Sequence, residues 1–159
     1  MSVNVLFVCL GNICRSPTAD GVFQSLVNDA RLNEFIRVDS AGTAGWHQGS
    51  LPDARTIAAA KKRGYDLSPL RARQVLRQDF LQYEYILAMD SENLHNLNIV
   101  KPKECSAHLG LFLKFSEQKK FTEVPDPYHG NDKDFELVLD LVEDASRGLL
   151  ESIRTKYHF

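Results

Sequence analysis

The chain has 159 residues, of which 43% are hydrophobic and 25% carry charge, and its formal net charge is −2. These values favour one globular domain, residues 1–159, with a full core. So small a charge gives no reason to expect nucleic acid or an acidic membrane surface as a partner. The apolar run at the N-terminus is too short for a signal peptide, and no segment approaches the roughly 18 apolar residues of a membrane span.

The cysteine and histidine content bears on the compartment and on metals. The chain has three cysteines, and an odd number argues against a secreted disulfide framework. We therefore expect a cytoplasmic protein, and a monomer by default. The histidines have no metal-ligand spacing, so we expect neither a metal nor a cofactor.

The first predicted element is a strand over residues 3–9, VNVLFVC, which has almost no polar face and is typical of a buried parallel strand. A helix follows and runs to about Ala30. Ser16 resembles its N-cap, because serine is a favoured cap and Pro17 would then occupy the first helical position.

Strands and helices then alternate to the end of the chain. The pattern predicts a strand over 35–42 and a helix over 53–64, capped by Asp53 and ended by Gly64. The later elements are, in order, a short helix over 73–82, a strand over 83–90, a helix beginning at Ser91, a strand within 106–115 and a long amphipathic helix over 131–157.

This alternation indicates an α/β fold, with four parallel strands in one sheet, helices on both faces and right-handed crossovers. In such sheets, ligands bind beyond the carboxyl ends of the strands. Cys9 and Asp90 each lie at such an end.

The loop between Cys9 and Arg15, LGNIC, is predicted to bind phosphate. A tight loop between a strand and a helix N-terminus turns successive backbone N–H groups inward, which creates a nest for an anion. Gly11 permits close approach and a positive φ, and Asn12 is one of the few other residues that tolerate the left-handed conformation. Arg15 can hold two phosphate oxygens in its planar fork, and the same positive field favours the thiolate of Cys9. The alternative is that Cys9 is an ordinary buried core cysteine.

Asp126 is the candidate proton donor. Breaking a phosphate ester requires a donor for the leaving group. Pro125 and Pro127 on either side of Asp126 stiffen the backbone that carries its carboxyl group. The alternative is a plain turn, because Pro-Asp-Pro is common in turns.

Four motifs together resemble the low-molecular-weight protein tyrosine phosphatases. They are VLFVCLGNICRSP near the N-terminus, DSAGT after the second strand, MD at the end of the third strand and DPY before the last helix. The resemblance covers essentially the whole chain in the expected order. It implies a phosphotyrosine-containing protein as substrate, and inorganic phosphate or a similar oxyanion as competitive ligand.

The resemblance also implies catalytic roles. Cys9 would be the nucleophile that forms a thiophosphate intermediate, and Arg15 would bind the phosphoryl oxygens. Asp126 would protonate the leaving phenol and then activate water as a base. Ser16 would donate a hydrogen bond that stabilises the thiolate.

Further residues take supporting roles by the same resemblance. Asn12 would be strained and supported by Ser40, and Asp90 would lie beside the site. Cys14 would form a reversible disulfide with Cys9 that protects it from over-oxidation. The residues expected to contact the phosphate or to wall the slot for the phosphotyrosine ring are Leu10, Gly11, Asn12, Ile13, Cys14, Ser16, Trp46 and Tyr128.

The chain departs from the family pattern at two positions. Many relatives have a histidine at the position of Leu70, where it supports the loop asparagine, so here Asn12 must rely more on Ser40 or water. Many animal relatives have a second tyrosine at the position of His129. The single tyrosine of DPYH favours a bacterial-type member.

Three other classes share parts of this pattern. Arsenate reductases relay electrons to two further cysteines downstream, whereas this chain has only Cys105 there. Protein-arginine phosphatases resemble GNTCRS, with threonine in place of Ile13, and they tend to have phenylalanine in place of Tyr128. A phosphotyrosine-binding module without activity would lack Cys9 or Asp126, and both are present.

Overall fold

A computed structural model describes residues 2–159 and confirms the α/β class. All strand pairs are parallel, and the sheet order is β2-β1-β3-β4. The elements, in chain order, are β1 (Val3–Cys9), α1 (Arg15–Asp29), β2 (Ile36–Gly42), α2 (Ala54–Lys62), α3 (Asp79–Gln82), β3 (Tyr85–Ala88), α4 (Ser91–Val100), β4 (His108–Leu111), a 3₁₀ turn (Phe112–Phe115) and α5 (Asp132–Tyr157).

Strand β1 is covered on both faces, as its apolar run predicts. Val5 and Phe7 belong to the larger core, which the sheet forms with helices α1 and α5. Leu6 and Val8 point the other way, into a smaller core with α3 and α4. Because successive side chains of a strand alternate between faces, a strand between two helical layers needs apolar residues at every position.

Several helix ends agree with the sequence. Asp53 caps α2 by accepting a hydrogen bond from the N–H of Arg55, and Gly64 follows that helix with a φ of 89°. Asn131 caps α5 in a reciprocal arrangement with Asp134. Of the helices in residues 2–159, none is both long and apolar enough to cross a membrane.

Two predicted helices differ from the structure. Helix α1 begins at Arg15 rather than after a Ser16 cap, because the Ser16 hydroxyl lies 3.0 Å from the sulfur of Cys9 and caps nothing. Helix α3 covers only the last four residues of the predicted 73–82. The preceding backbone pairs with the end of β2 instead: Gly42 donates to the carbonyl of Arg73, and Val75 donates to that of Gly42.

One carboxyl group lies inside the protein between α1 and β2. Asp20 is only 5% exposed. Burial raises the pKa of this carboxyl to about 7, and the charge of Asp39 adds to the rise, while the Ser40 hydroxyl and the Arg73 cation offset part of it. Its ordinary pKa is 3.8. Between these two values the folded chain binds more protons than the unfolded chain, so the free energy of unfolding falls as pH rises.

We predict that Asp20→Asn removes the fall in the free energy of unfolding between about pH 4 and about pH 7. At about 1.4 kcal/mol per pKa unit, the fall in the wild type is at most about 4 kcal/mol. Urea unfolding at several pH values measures it in the wild type and the variant. Asp29→Asn is the matched control, because Asp29 lies exposed at the end of the same helix. Parallel pH profiles for the wild type and Asp20→Asn would contradict the prediction.

Candidate active site

The predicted site residues meet at the carboxyl edge of the sheet. A cavity of about 240 Å³ opens there, immediately beyond the end of β1. Its walls are formed by Cys9, Leu10, Gly11, Ile13, Cys14, Arg15, Trp46, His47, Asp126, Tyr128 and His129. The remaining predicted residues lie behind the cavity wall. Asn12 and Ser16 contact the sulfur of Cys9, Asp90 accepts from Arg15, and Ser40 accepts from the side chain of Asn12.

Cys9 ends β1 with its side chain buried at the floor of the cavity. Its sulfur accepts a hydrogen bond from the backbone N–H of Asn12 at 3.3 Å and lies 3.0 Å from the Ser16 hydroxyl oxygen. That oxygen in turn accepts a hydrogen bond from the side-chain amide of Asn12 at 2.8 Å. Because one lone pair of the hydroxyl is occupied in this way, its proton can be directed at the Cys9 sulfur.

Asn12 fixes the shape of the loop. Its φ is 57°, the left-handed conformation that the sequence predicts. The side-chain amide donates to the hydroxyl oxygens of Ser16 and Ser40, and the amide oxygen accepts from the N–H of Arg73 at 3.0 Å. Leu70 packs against the core. Asn12 is therefore supported by Ser40, as expected, and also by the backbone of Arg73.

Two glycines make room for this loop. Gly11 does not have a positive φ, so that part of the prediction is wrong. A side chain at Gly11 would instead come within 3.0 Å of the His47 ring. At Gly42, a Cβ atom would lie 2.7 Å from the carbonyl oxygen of Leu10. The glycine of DSAGT therefore allows the end of β2 to pass directly beneath the loop.

The Arg15 guanidinium is only 3% exposed. It donates to the Asp90 carboxylate at 2.6 Å and to the carbonyl of Val124 at 3.1 Å. Burial alone would lower the pKa of Arg15, but the negative charges of Cys9 and Asp90 outweigh it, and the net pKa is raised. Asp90 also caps α4 by accepting from the N–H of Asn93 at 2.7 Å. It is thus the fixed partner of the buried cation, a role that the sequence left open.

Asp126 also lines the cavity, beside Arg15. Its carboxylate lies 3.7 Å from the guanidinium and is 47% exposed. The other carboxylate oxygen accepts from the N–H of Tyr128 at 3.2 Å. The carboxyl group therefore lies near the cation while it remains open to water.

Aromatic side chains form the mouth of the cavity. Trp46 is 73% exposed, and Tyr128 is partly exposed and packs edge-on against His129 at 4.9 Å between ring centroids. His47 lines the same mouth. No local pattern marks His47 as a site residue, because it lies in a glycine-rich loop and belongs to no motif.

Cys14 lies at the N-cap of α1 and also lines the cavity. Burial raises the pKa of its thiol to about 12, so the thiol is neutral at physiological pH. The third cysteine, Cys105, is partly buried in the smaller core, away from the cavity.

The arrangement places a thiol, a cation and a carboxyl group around one small cavity. The backbone N–H groups of Gly11, Ile13 and Cys14 donate to no acceptor within residues 2–159. Together with Arg15 they offer donors for the oxygens of a tetrahedral anion above the sulfur of Cys9. Such a site is suited to group transfer from a phosphate ester to the thiolate.

Comparisons with known proteins agree with this chemistry. The sequence profile of the low molecular weight phosphotyrosine protein phosphatases matches residues 4–158. The human low molecular weight phosphotyrosine protein phosphatase is 45% identical over 150 residues, which cover 93% of this chain and 94% of the human one. A putative low molecular weight protein-tyrosine-phosphatase from the cyanobacterium Synechocystis is 43% identical over 152 residues, which cover 95% and 96% of the two chains.

Solved structures give the same result. A protein tyrosine phosphatase from Entamoeba histolytica, with Hepes in its active site, superposes with a TM-score of 0.92 at 39% identity and covers 99% of both chains. A Drosophila arginine phosphatase superposes with a TM-score of 0.88 at 29% identity, covering 94% of this chain and 97% of its own. On the extent of these matches, the chain belongs to the low molecular weight phosphotyrosine protein phosphatase family.

Proposed function

We propose that this chain is a protein tyrosine phosphatase that hydrolyses phosphotyrosine in protein substrates through a phosphocysteine at Cys9. The observation that supports this most directly is the buried Arg15 guanidinium in the same small cavity as the Cys9 sulfur and the Asp126 carboxyl. We also propose that residues 1–159 act as one phosphatase domain, as a monomer in a reducing cytoplasm.

In the first step the Cys9 thiolate attacks phosphorus, and the bond from phosphorus to the tyrosine oxygen breaks. Asp126 transfers its proton to that oxygen, so the leaving group departs as a neutral phenol. Arg15 and the free N–H groups of the loop bind the three equatorial oxygens of the transferring group. Uncatalysed hydrolysis of phosphate monoesters is so slow that the site must lower the barrier by roughly 20 kcal/mol or more.

In the second step water attacks the phosphocysteine. Asp126, now a carboxylate, accepts a proton from this water, and the sulfur of Cys9 leaves as a thiolate. The Ser16 hydroxyl, 3.0 Å from that sulfur, is placed to stabilise the departing thiolate. Inorganic phosphate is the product, and it or a similar oxyanion competes with substrate for the same donors.

The choice of phosphotyrosine rests on the walls of the cavity. Ile13 and Tyr128 offer a branched apolar group and an aromatic face beside the phosphate site. These surfaces pack well against a phenyl ring, whereas the guanidinium of phosphoarginine would exchange part of its hydration for apolar contacts there.

Turnover of matched phosphotyrosine and phosphoarginine peptides tests the substrate class. We expect phosphotyrosine to be preferred in kcat/KM by at least about tenfold, the size of discrimination that pocket shape typically supplies. Cys9→Ser is the control: it should lose turnover and retain phosphate binding, because the loop donors and Arg15 remain. Preference for phosphoarginine would overturn the substrate class, and steady-state turnover by Cys9→Ser would overturn the nucleophile.

Replacing Asp126 tests proton donation. Asp126→Asn keeps an acceptor for the N–H of Tyr128 and removes the acid, so we expect kcat for aryl phosphates with poor leaving groups to fall roughly 10²–10⁴-fold. The loss should shrink for 4-nitrophenyl phosphate, whose leaving group needs no proton. Asp132→Asn, on the exposed first turn of α5, serves as the control. A loss of equal size for all leaving groups would count against the assignment.

Oxidation tests the proposed role of Cys14. Peroxide oxidises the Cys9 thiolate to a sulfenic acid, and attack by the sulfur of Cys14 then forms the disulfide and releases water. Dithiothreitol should restore activity to the oxidised wild type and to Cys105→Ser, but only poorly to Cys14→Ser, in which Cys9 proceeds to the sulfinic acid. Recovery of Cys14→Ser to the wild-type level would show that Cys14 does not protect Cys9.

A further inference from the structure

The segment that carries Asp126, residues 124–130, has few hydrogen bonds to the rest of the protein, although Pro127 is buried beside α2 and α5. Pro125 and Pro127 have no N–H to donate. The N–H groups of Tyr128 and Gly130 bond within the segment, to the Asp126 carboxylate and to the carbonyl of Pro127. At its start, Val124 is tied through both its N–H and its carbonyl group.

Beyond Val124, the segment has one hydrogen bond to another part of residues 2–159. The Arg55 guanidinium donates to the carbonyl oxygen of Tyr128 at 2.9 Å. The ion pair between Asp126 and Arg15, at 3.7 Å, is too long to be a hydrogen bond. Apart from the packing of the buried Pro127, the position of the Asp126 carboxyl group therefore depends on how firmly Arg55 holds the carbonyl two residues away.

Arg55 itself is firmly held although its side chain is 44% exposed. Its Nε and Nη2 atoms donate to the two carboxylate oxygens of Asp53 at 3.1 and 3.0 Å, a bidentate pair. The guanidinium carbon lies 4.8 Å from the ring centroid of Phe135 in α5 and 5.6 Å from that of Tyr128. A planar fork stacked on a ring in this way has few alternative rotamers.

Asp53 connects this clamp to the phosphate-binding loop. Its backbone N–H donates to the carbonyl of Ile13 at 2.8 Å, and its carboxylate caps α2. A continuous series of hydrogen bonds thus runs from the loop at Ile13 through Asp53 and Arg55 to the carbonyl of Tyr128. It links the part of the site that binds phosphate to the part that carries the acid.

We propose that Arg55 is a positioning residue for catalysis, which sets the placement of the Asp126 carboxyl group relative to the phosphate-binding loop by holding the carbonyl of Tyr128. This inference rests on the proposed role of Asp126 as proton donor. Proton transfer is sensitive to such placement, because a displacement of about 1 Å can slow a reaction about 10²-fold. Exposed ion pairs contribute little to stability, so the fold itself does not depend on Arg55.

A double-mutant cycle between Arg55 and Asp126 tests the proposal. Arg55→Ala and Arg55→Lys are prepared in the wild type and in Asp126→Asn, and kcat is measured with phenyl phosphate and 4-nitrophenyl phosphate. Lysine keeps the charge but cannot bond to Asp53 and Tyr128 in one plane. Arg77→Ala is the matched control, because Arg77 forms an exposed ion pair with Glu104. Thermal unfolding and phosphate binding are measured on every variant.

With phenyl phosphate, we expect Arg55→Ala to lower kcat about tenfold or more in the wild type, and less than about twofold in Asp126→Asn. Arg55→Lys should be intermediate, and Arg77→Ala should match the wild type. The loss should be smaller with 4-nitrophenyl phosphate, because its leaving group needs no proton and only the water-activating role of Asp126 is then affected. Phosphate affinity should be unchanged, because the donors of the phosphate-binding loop stay in place.

Each contrary result has a separate meaning. An Arg55→Ala loss of the same size in both backgrounds, or with both substrates, would overturn the positioning role, because it would not act through the acid. An unchanged kcat in Arg55→Ala would also overturn it. If Asp126→Asn itself caused no loss that depends on the leaving group, the proposed proton-donor role of Asp126 would fail instead, and the cycle would reveal this before Arg55 is considered.

Discussion

The buried ion pair between Arg15 and Asp90 is the interaction on which the rest of the site depends. A guanidinium withdrawn from water to this extent needs a charged partner and further acceptors, or it would be strongly destabilising. Asp90 at the start of α4 and the carbonyl of Val124 provide them. Because Arg15 belongs to the first turn of α1, these contacts bring three separated parts of the chain to one edge of the sheet. The cation that we propose binds phosphate and the architecture that forms the cavity are therefore maintained by the same contacts.

The two halves of the site are held by different means. The loop from Cys9 to Arg15 is fixed by many hydrogen bonds, of which Asn12 alone makes three through its side chain. The segment around Asp126 is restricted by two prolines and a single arginine. Phosphate binding needs a rigid nest of donors, whereas a residue that must donate and then accept a proton benefits from exposure to water. The loop therefore has many hydrogen bonds and the segment around Asp126 has few, which suits the two tasks that we propose for them.

Much of this could be predicted from the sequence, for physical reasons. The run of apolar residues in β1 and the long amphipathic pattern of α5 are local signals, and both elements form where they were expected. The positive φ of Asn12 was predictable because few side chains tolerate it. The catalytic candidates came from the resemblance of the motifs and their order to a known family. The structure brings these candidates around one cavity.

Other features could not be predicted, because they depend on contacts between distant residues. Ser16 has the composition of a helix cap, yet its hydroxyl bonds to Cys9. The segment before α3 has a helical pattern, yet it pairs with the end of β2. The contact between Arg55 and Tyr128 joins residues 73 positions apart, and no local pattern indicates it. At Ser16 and before α3, hydrogen bonds between distant residues outweighed the local preference for a helix cap or a helix.

The exposure of Trp46 at the mouth of the cavity has a practical consequence. It is the only tryptophan in the chain, so the protein's intrinsic fluorescence under selective excitation originates beside the site. A ligand that covers the indole would remove it from water, and this would change both the intensity and the colour of its emission. The protein therefore carries its own optical reporter of whether the cavity is filled, and binding can be followed without a label and without turnover.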